Sequence, residues 1–275
     1  MPAEGADNRP VYRDAWRTGV WSVMFKQPQL QIGRDYTPLP DEGDEDGDSL
    51  RFLIRRDPFG EVSRYLHGLE LGSLVELRGP QIQCPIPSYV RDILFIAGGT
   101  GIAPALQASY ALLSRADDAD ADDAQKPKKQ IHILWASRKR EDCLGGVSDS
   151  KVQIPWLSRL FGRSPASSVQ TSPDPPHAPI ACELEKLKSQ YPGQVRVDYF
   201  VDEEGTFIDK RAILDHTTKS TDPSSMNKLI LVSGPDGFIS SIAGRKVWAQ
   251  GMELQGPLQG MIKDLGLNDW TVWKL

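Results

Sequence analysis

Ile93-Leu94-Phe95-Ile96-Ala97-Gly98-Gly99-Thr100-Gly101-Ile102-Ala103-Pro104 is the stretch on which the fold turns. A short, wholly apolar run reads as a strand buried on both faces. It meets a glycine turn, and a proline follows in the first turn of a helical pattern from Ala103 to Ser114, where a missing N–H costs nothing. Strand, glycine turn and helix in that order let the backbone approach a ligand closely, and the helix N-terminus offers free N–H groups to negative charge. A pyrophosphate fits there. The spacing is not that of the usual GxGxxG fingerprint, so the turn by itself does not assign a nucleotide.

Toward the C-terminus, further apolar strand-like runs follow at Ile131 to Ala136, Val195 to Val201 and Leu229 to Val232. Helical patterns alternate with them at Glu183 to Tyr191, Asp209 to Asp215 and Phe238 to Gln250. Alternation of this kind predicts a doubly wound parallel sheet covered by helices on both faces. Toward the N-terminus the character changes near residue 88. Short strands are expected at Val20 to Phe25, Gln29 to Arg34, Leu50 to Arg55 and Leu74 to Arg78, with turn residues between them. The sequence therefore predicts an all-β domain over 1–88, a small antiparallel barrel, and an α/β domain over 89–275.

With 39% hydrophobic and 25% charged residues in 275, the chain has the composition of a folded globular protein. No run approaches the roughly 20 apolar residues of a membrane span, and the first ten residues lack the basic and apolar regions of a secretory signal. Cys84, Cys143 and Cys182 are too few and scattered for a disulfide framework, and the four histidines are equally dispersed, so no metal site is expected. The net charge of −5 is unevenly spread. Asp41 to Asp48 carries six acids and Asp117 to Asp123 five; with these eleven set aside, 26 acids stand against 32 Lys and Arg. Such runs repel themselves and read as solvated insertions, or as an electrostatic lure for a basic partner. A Ser- and Pro-rich stretch, Gly162 to Pro179, has no periodicity. Insertions without regular structure are expected near 116–130 and 162–179. No internal repeat is present, and nothing in the charge pattern indicates nucleic acid.

Three more motifs bear on chemistry. In Arg34-Asp35-Tyr36-Thr37-Pro38 an arginine can pair a pyrophosphate bidentately, a tyrosine two residues on shares its strand face, and a threonine offers a hydroxyl. Gly60-Glu61-Val62-Ser63-Arg64-Tyr65-Leu66 reads as a turn entering a short helix. Ser233-Gly234-Pro235-Asp236-Gly237-Phe238 closes the last long strand with another ligand-permissive turn. Taken singly, the first also reads as an edge strand with a salt bridge, and the second more readily as a plain N-cap.

Together they resemble a known family. RDYTP, GEVSRYL followed by LGSLVELRGP, LFIAGGTGIAP and VSGPDGF stand in the order and spacing of the NADH-cytochrome b5 reductase branch of the ferredoxin-NADP reductase superfamily, from about residue 20 onward. Within that branch, FKQPQLQIGRDYTPLP and ILWASRKREDCLGG are most similar to fungal mitochondrial flavoproteins associated with haem attachment to cytochrome c. The resemblance implies an N-terminal FAD-binding antiparallel β-barrel followed by an NAD(P)-binding parallel-sheet domain. It implies that Arg34 holds the FAD pyrophosphate, that Tyr36 lies against the flavin, that Thr37 hydrogen-bonds near its ring with Pro38 closing the motif, and that Gly60, Val62 and Ser63 contact the same pyrophosphate. Gly98, Gly99, Thr100 and Gly101 would receive the nicotinamide nucleotide, and Gly234 and Pro235 would flank the nicotinamide. Thr37, Thr100 and Ser233 are the implied catalytic positions; Ser233 stands where the family carries cysteine.

The donor implied is NADPH or NADH. Ser137-Arg138-Lys139-Arg140 suits a ribose 2′-phosphate, whereas Asp202 would repel one. Trp273, near the C-terminus, either gates the flavin face or packs a terminal strand. A haem-protein acceptor of the cytochrome c or b5 type follows from the same resemblance, as does a mitochondrial setting, at the inner membrane or in the intermembrane space, with the cytoplasm as the alternative. The stretch ahead of RDYTP is shorter than the family's by a strand or two, so the barrel is expected to be truncated at its start, with room for an anchor before residue 1. Two other readings stay open: a flavin-binding assembly factor with little turnover, and a reductase of small molecules such as quinones or free haem.

Overall fold

The computed structural model describes residues 9–40, 49–114, 128–150, 177–218 and 227–275. The acidic runs at 41–48 and 117–123 and nearly all of the Ser- and Pro-rich stretch lie outside the described residues.

The chain opens on helix α1 (Arg9–Thr18), then strands β1 (Gly19–Gln27), β2 (Ile32–Tyr36), β3 (Pro38–Leu39) and β4 (Arg51–Phe52), helix α2 (Glu61–His67) and strand β5 (Leu77–Pro85). Strands β2, β1 and β5 form a three-stranded antiparallel sheet in that order, and β3 pairs with β4. The antiparallel pairing expected of this half holds, but several boundaries move. The strand expected at Gln29 to Arg34 begins only at Ile32, because Pro28 to Gln31 form the turn out of β1, with Gln31 at a φ of 55°. Leu50 to Arg55 contributes two strand residues, and the last strand runs to Pro85 rather than ending at Arg78. Nor is the half purely β. In α1 the apolar residues Val11, Tyr12, Ala15 and Trp16 recur at helical spacing and bring Trp16 edge-on to Trp21 at 4.9 Å and to Tyr110 at 5.7 Å. Ala15, Trp21, Val23, Phe25 and Val62 form the core that α1 and α2 share with β1.

The second half is a five-stranded parallel sheet: β6 (Asp92–Gly98), β7 (Gln130–Ser137), β8 (Val195–Val201), β9 (Lys228–Ser233) and β12 (Thr271–Lys274), in spatial order β12-β9-β6-β7-β8. Four helices accompany it: α3 (Ile102–Leu113), α4 (Pro179–Gln190), α5 (Lys210–Thr217) and α6 (Asp236–Ala243). Beyond α6, the helix expected to run to Gln250 stops at Ala243, since Gly244 at φ 88° turns the chain into a hairpin of β10 (Val247–Ala249) and β11 (Met252–Leu254). Helix α7 (Gly260–Leu265) follows.

Alternation along β6 splits the core. Ile93 and Phe95 face one layer with Ile131, Ile133, Leu184 and α3, while Leu94 and Ile96 face the other with Ile213, Ile239 and Ile262. Each of those four β6 side chains is fully buried, a contribution of about 1.5–3 kcal/mol apiece. The first layer also takes in Val20, Leu39, Cys84 and Ile86, so the two halves share one apolar core. Among the described residues no helix is long and apolar enough to cross a membrane.

Candidate functional site

A cleft of about 950 Å³ opens between the halves. Arg34, Asp35, Tyr36, Arg55, Arg56 and Asp57 line it from one side with Gly60, Val62 and Ser63, and Gly98, Gly99, Thr100, Ser137, Arg138, Asp202 and Pro235 from the other. Its position, beyond the carboxyl ends of β6, β7 and β9, is the usual ligand crevice of a parallel sheet. Its size falls at the upper end of the roughly 300–1,000 Å³ of cofactor sites.

The glycines of the central motif are glycine for different reasons. Gly99 lies at a φ of 56°, and a Cβ there would meet no heavy atom within 4 Å. It borders the cleft, so its missing side chain leaves room for a ligand. Gly101 is required by packing, since a Cβ would lie 2.5 Å from the Ser233 carbonyl oxygen. Gly98 and Gly234 make room for the Phe238 ring, 3.0 Å from either virtual Cβ, and bring their two backbones together. Strands β6 and β9 pair in parallel with Ala97 opposite Ser233, which sets the two glycine turns side by side. Trp135, on the other flanking strand, donates from Nε1 to the Gly99 carbonyl at 3.0 Å and pins the turn. Thr100 is exposed at the mouth of the cleft.

Across the cleft, the Arg34 side chain is more than half exposed, donating to the Gly33 carbonyl at 2.9 Å and lying 3.7 Å from Glu61. Neither contact occupies the whole guanidinium fork. The Tyr36 ring meets Phe25 edge-on at 5.4 Å, and burial pushes its phenol pKa up. The Asp35 carboxyl is also raised by burial, partly offset by Lys246 of the β10–β11 segment. Ser63 is committed to the backbone, accepting from Asp57 N at 3.1 Å and donating to the Gly60 carbonyl at 3.3 Å, which fixes the turn into α2. Val62 is 1% exposed and belongs mainly to the core beneath.

The remaining expected positions do not line the cleft. Thr37 is half-buried beside it, and Pro38 is buried in β3. Ser233 is 6% exposed, beneath the turn rather than on the wall. Gly234 packs on Gly98. Trp273 sits in β12, donates from Nε1 to the Gln83 carbonyl at 3.0 Å and packs on the shared core, which is the terminal-strand alternative for this residue.

In the basic run, Lys139 pairs with Glu141 at 3.1 Å, and Arg140 grips Glu204 with two donors. Burial and the neighbouring carboxylates raise the Cys143 thiol at the end of that turn, against the opposing effect of Arg140. Only the exposed Arg138 guanidinium has no side-chain partner among the described residues. Asp202 stands near it, because Glu203 N donates to the Arg138 carbonyl at 3.2 Å.

Residues 19–85 match the family of oxidoreductase FAD-binding domains, and residues 95–146 the family of oxidoreductase NAD-binding domains. The chain thus carries an oxidoreductase FAD-binding domain followed by an oxidoreductase NAD-binding domain. Among its relatives, NADH-cytochrome b5 reductase 2 of Ajellomyces capsulatus is 28% identical over 250 residues, covering 88% of this chain and 62% of that protein. The cytochrome c mitochondrial import factor CYC2 of Saccharomyces cerevisiae is 26% identical over 302 residues, covering 93% and 72%. The chain thus spans about 62% of the length of the first of these relatives. In fold it is similar to the cytochrome b5 reductase domain of Ulva prolifera nitrate reductase, with a TM-score of 0.51 at 21% identity over 82% of this chain and 77% of that one. Phthalate dioxygenase reductase gives 0.54 at 13% identity, over 94% and 58%.

Sequence reasoning missed the part that four residues play in shaping this site. Arg55 was read as the end of a strand, Arg56 was given no role, Trp135 was read only as apolar, and Phe238 as the end of a turn and the start of a helix. Arg55 pairs with Asp142, Trp135 bonds the Gly99 carbonyl and the Phe238 ring fills the space beside Gly98, all partners distant in sequence.

Proposed function

We propose that the chain takes a hydride from NADH or NADPH onto FAD and passes the electrons singly to a haem-protein acceptor of the cytochrome c or b5 type. One observation carries the reading: the Arg34–Tyr36 and Gly60–Ser63 segments face the Gly99 turn across a single cleft. Arg34 would hold the FAD pyrophosphate, Tyr36 would bound the flavin, and the Gly60–Ser63 turn would bring backbone N–H groups to the same phosphates. Gly99 and Thr100, with Gly98, Gly101, Gly234 and Pro235 shaping the turns, would receive the nicotinamide nucleotide at the N-terminus of α3. Bound FAD supplies the exchange between two-electron and one-electron chemistry; the chain's own residues position and exclude water.

Of the basic run, Arg138 alone remains for a 2′-phosphate, and Asp202 opposes one, so NADH is expected to serve at least as well as NADPH. The acceptor and a mitochondrial location rest on the relatives' names: cytochrome b5 reductases and a mitochondrial cytochrome c factor. The test is a visible spectrum of the purified protein followed by anaerobic titration with NADH and NADPH. A flavin spectrum bleached by either nucleotide supports the proposal; a folded, colourless protein that cannot be reconstituted with FAD refutes it.

A further inference from the structure

We infer that Gln107 is the positioning residue that fixes the distance between the flavin and nicotinamide segments; this rests on the function proposed above. Gln107 lies in α3 with no exposed surface, and both ends of its amide reach across to the N-terminal half. Its Oε1 accepts from the Trp21 backbone N–H at 2.9 Å, and its Nε2 donates to the Pro38 carbonyl at 2.9 Å. Because one partner can only donate and the other only accept, the orientation of the amide is determined. Ser109, the other polar residue buried in this helix, turns back to the Ala105 carbonyl at 2.8 Å and connects nothing beyond it.

The placement of these bonds gives them their consequence. Pro38 directly follows Tyr36 and Thr37 of the flavin motif, and Trp21 sits in β1, whose Val23 pairs with Tyr36. At the other end, Gln107 lies six residues beyond Gly101, about 9 Å along a rigid helix from the nicotinamide turn. One side chain thus ties the flavin strand to the helix that carries the nucleotide turn. Trp273, Arg51 and Arg55 also cross the halves, to Gln83, Glu183 and Asp142, but none of them joins the flavin strand to the helix that follows the nucleotide turn. Hydride transfer is steep in donor–acceptor distance, and a displacement near 1 Å costs on the order of a hundredfold in rate. A link that holds the two segments without touching either cofactor therefore acts on the rate constant and not on binding.

Two variants of the holoprotein test this. Gln107→Leu removes both bonds at similar volume. Gln107→Glu keeps the acceptor for Trp21 N–H and loses the donor to Pro38 unless the buried carboxyl is protonated, a form that burial favours. FAD content, visible circular dichroism of the bound flavin, amide exchange at Trp21, nucleotide affinity and the limiting rate of anaerobic flavin reduction are measured across pH. For Gln107→Leu, FAD content and nucleotide affinity are expected to hold, the flavin dichroism and Trp21 exchange to change, and the limiting rate to fall at least about tenfold. For Gln107→Glu, the rate is expected to recover as pH falls, relative to the unsubstituted protein. An FAD-replete Gln107→Leu protein with unaltered dichroism and limiting rate overturns the assignment. Should that variant not fold, a Gln107→Glu protein whose rate stays at the unsubstituted level across pH overturns it equally. Unsubstituted protein that is colourless and reduced by neither nucleotide overturns the proposed function, and the assignment with it.

Discussion

Replacing Gly99 by alanine should separate the fold from the ligand site. At a φ of 56° the added Cβ meets no atom within 4 Å, so the only cost to the fold is conformational, about 1–2 kcal/mol for a left-handed residue. In a chain of this size that lowers Tm by roughly 2–8 °C, at about 2–4 °C per kcal/mol. The methyl group then stands beside the cleft where the nucleotide must approach. A tenfold weaker nucleotide affinity, about 1.4 kcal/mol, is expected with FAD content unchanged. Gly101→Ala is the contrasting case: its Cβ would lie 2.5, 2.7 and 2.9 Å from Ser233 O, Ser233 C and Gly234 N, all backbone atoms that cannot swing away. It should cost more in Tm than Gly99→Ala and disturb the pairing of the two turns. Thermal melts, the flavin spectrum and anaerobic nucleotide titration read these effects independently. A Gly99→Ala protein with unaltered nucleotide affinity and reduction rate would refute the placement of the nucleotide at this turn, and a Gly101→Ala protein as stable as the unsubstituted one would refute the packing argument.

Arg34→Ala should weaken FAD retention by roughly 10–150-fold, the range of one charge-assisted hydrogen bond of about 1.5–3 kcal/mol, read from FAD released on gel filtration; retention equal to the unsubstituted protein would count against the pyrophosphate role. Burial holds the His132 imidazole below its usual range while Nε2 bonds Asp198 at 2.6 Å, and the Asp198 carboxyl, bonded also by Ser150, is held down to about 2. Since the folded His132 takes up its proton at lower pH than the unfolded chain, stability should decline as pH falls below about 6.5, with a further loss below about 4 as the unfolded chain protonates the aspartate. Urea midpoints measured against pH check this, and a His132→Gln protein with an equally steep decline between pH 6.5 and 5 would contradict it. Removing the acidic run 41–48 should leave reduction of ferricyanide by NAD(P)H intact and slow reduction of a basic haem protein at low salt, with the difference fading as ionic strength rises above about 0.1 M. Equal rates for both proteins at every salt concentration would remove the steering role.

Much of this protein was legible in order and spacing. Phe95 and Ile96 lie in an apolar run buried on both faces, and such runs alternating with helical patterns point to a parallel sheet covered on both sides. RDYTP and the Gly98–Gly101 turn could be located because each is contiguous, and what an arginine fork or a glycine turn is able to bind is set by residue type and spacing. The helix ahead of β1 was not expected although Val11, Tyr12, Ala15 and Trp16 stand at helical spacing; what the sequence does not carry is that Tyr12 and Trp16 face Trp21 and Tyr110. The hairpin after Ala243 went unread because a helical pattern continues past the glycine that ends it.

Within the motifs the sequence determined which residues are candidates, and the tertiary structure decided among them. RDYTP reads as one unit, yet Arg34 and Tyr36 line the cleft while Pro38 faces inward to Gln107. SRKR reads as one basic patch, yet Lys139 and Arg140 are taken by Glu141 and Glu204, leaving Arg138. Ser233 and Gly101 look like ligand positions in the chain and prove to be packed against each other. The physical reason is common to all three: residue type and spacing set what a side chain can bond, whereas the direction it faces and the partner that reaches it first depend on strands and helices brought together from elsewhere in the chain.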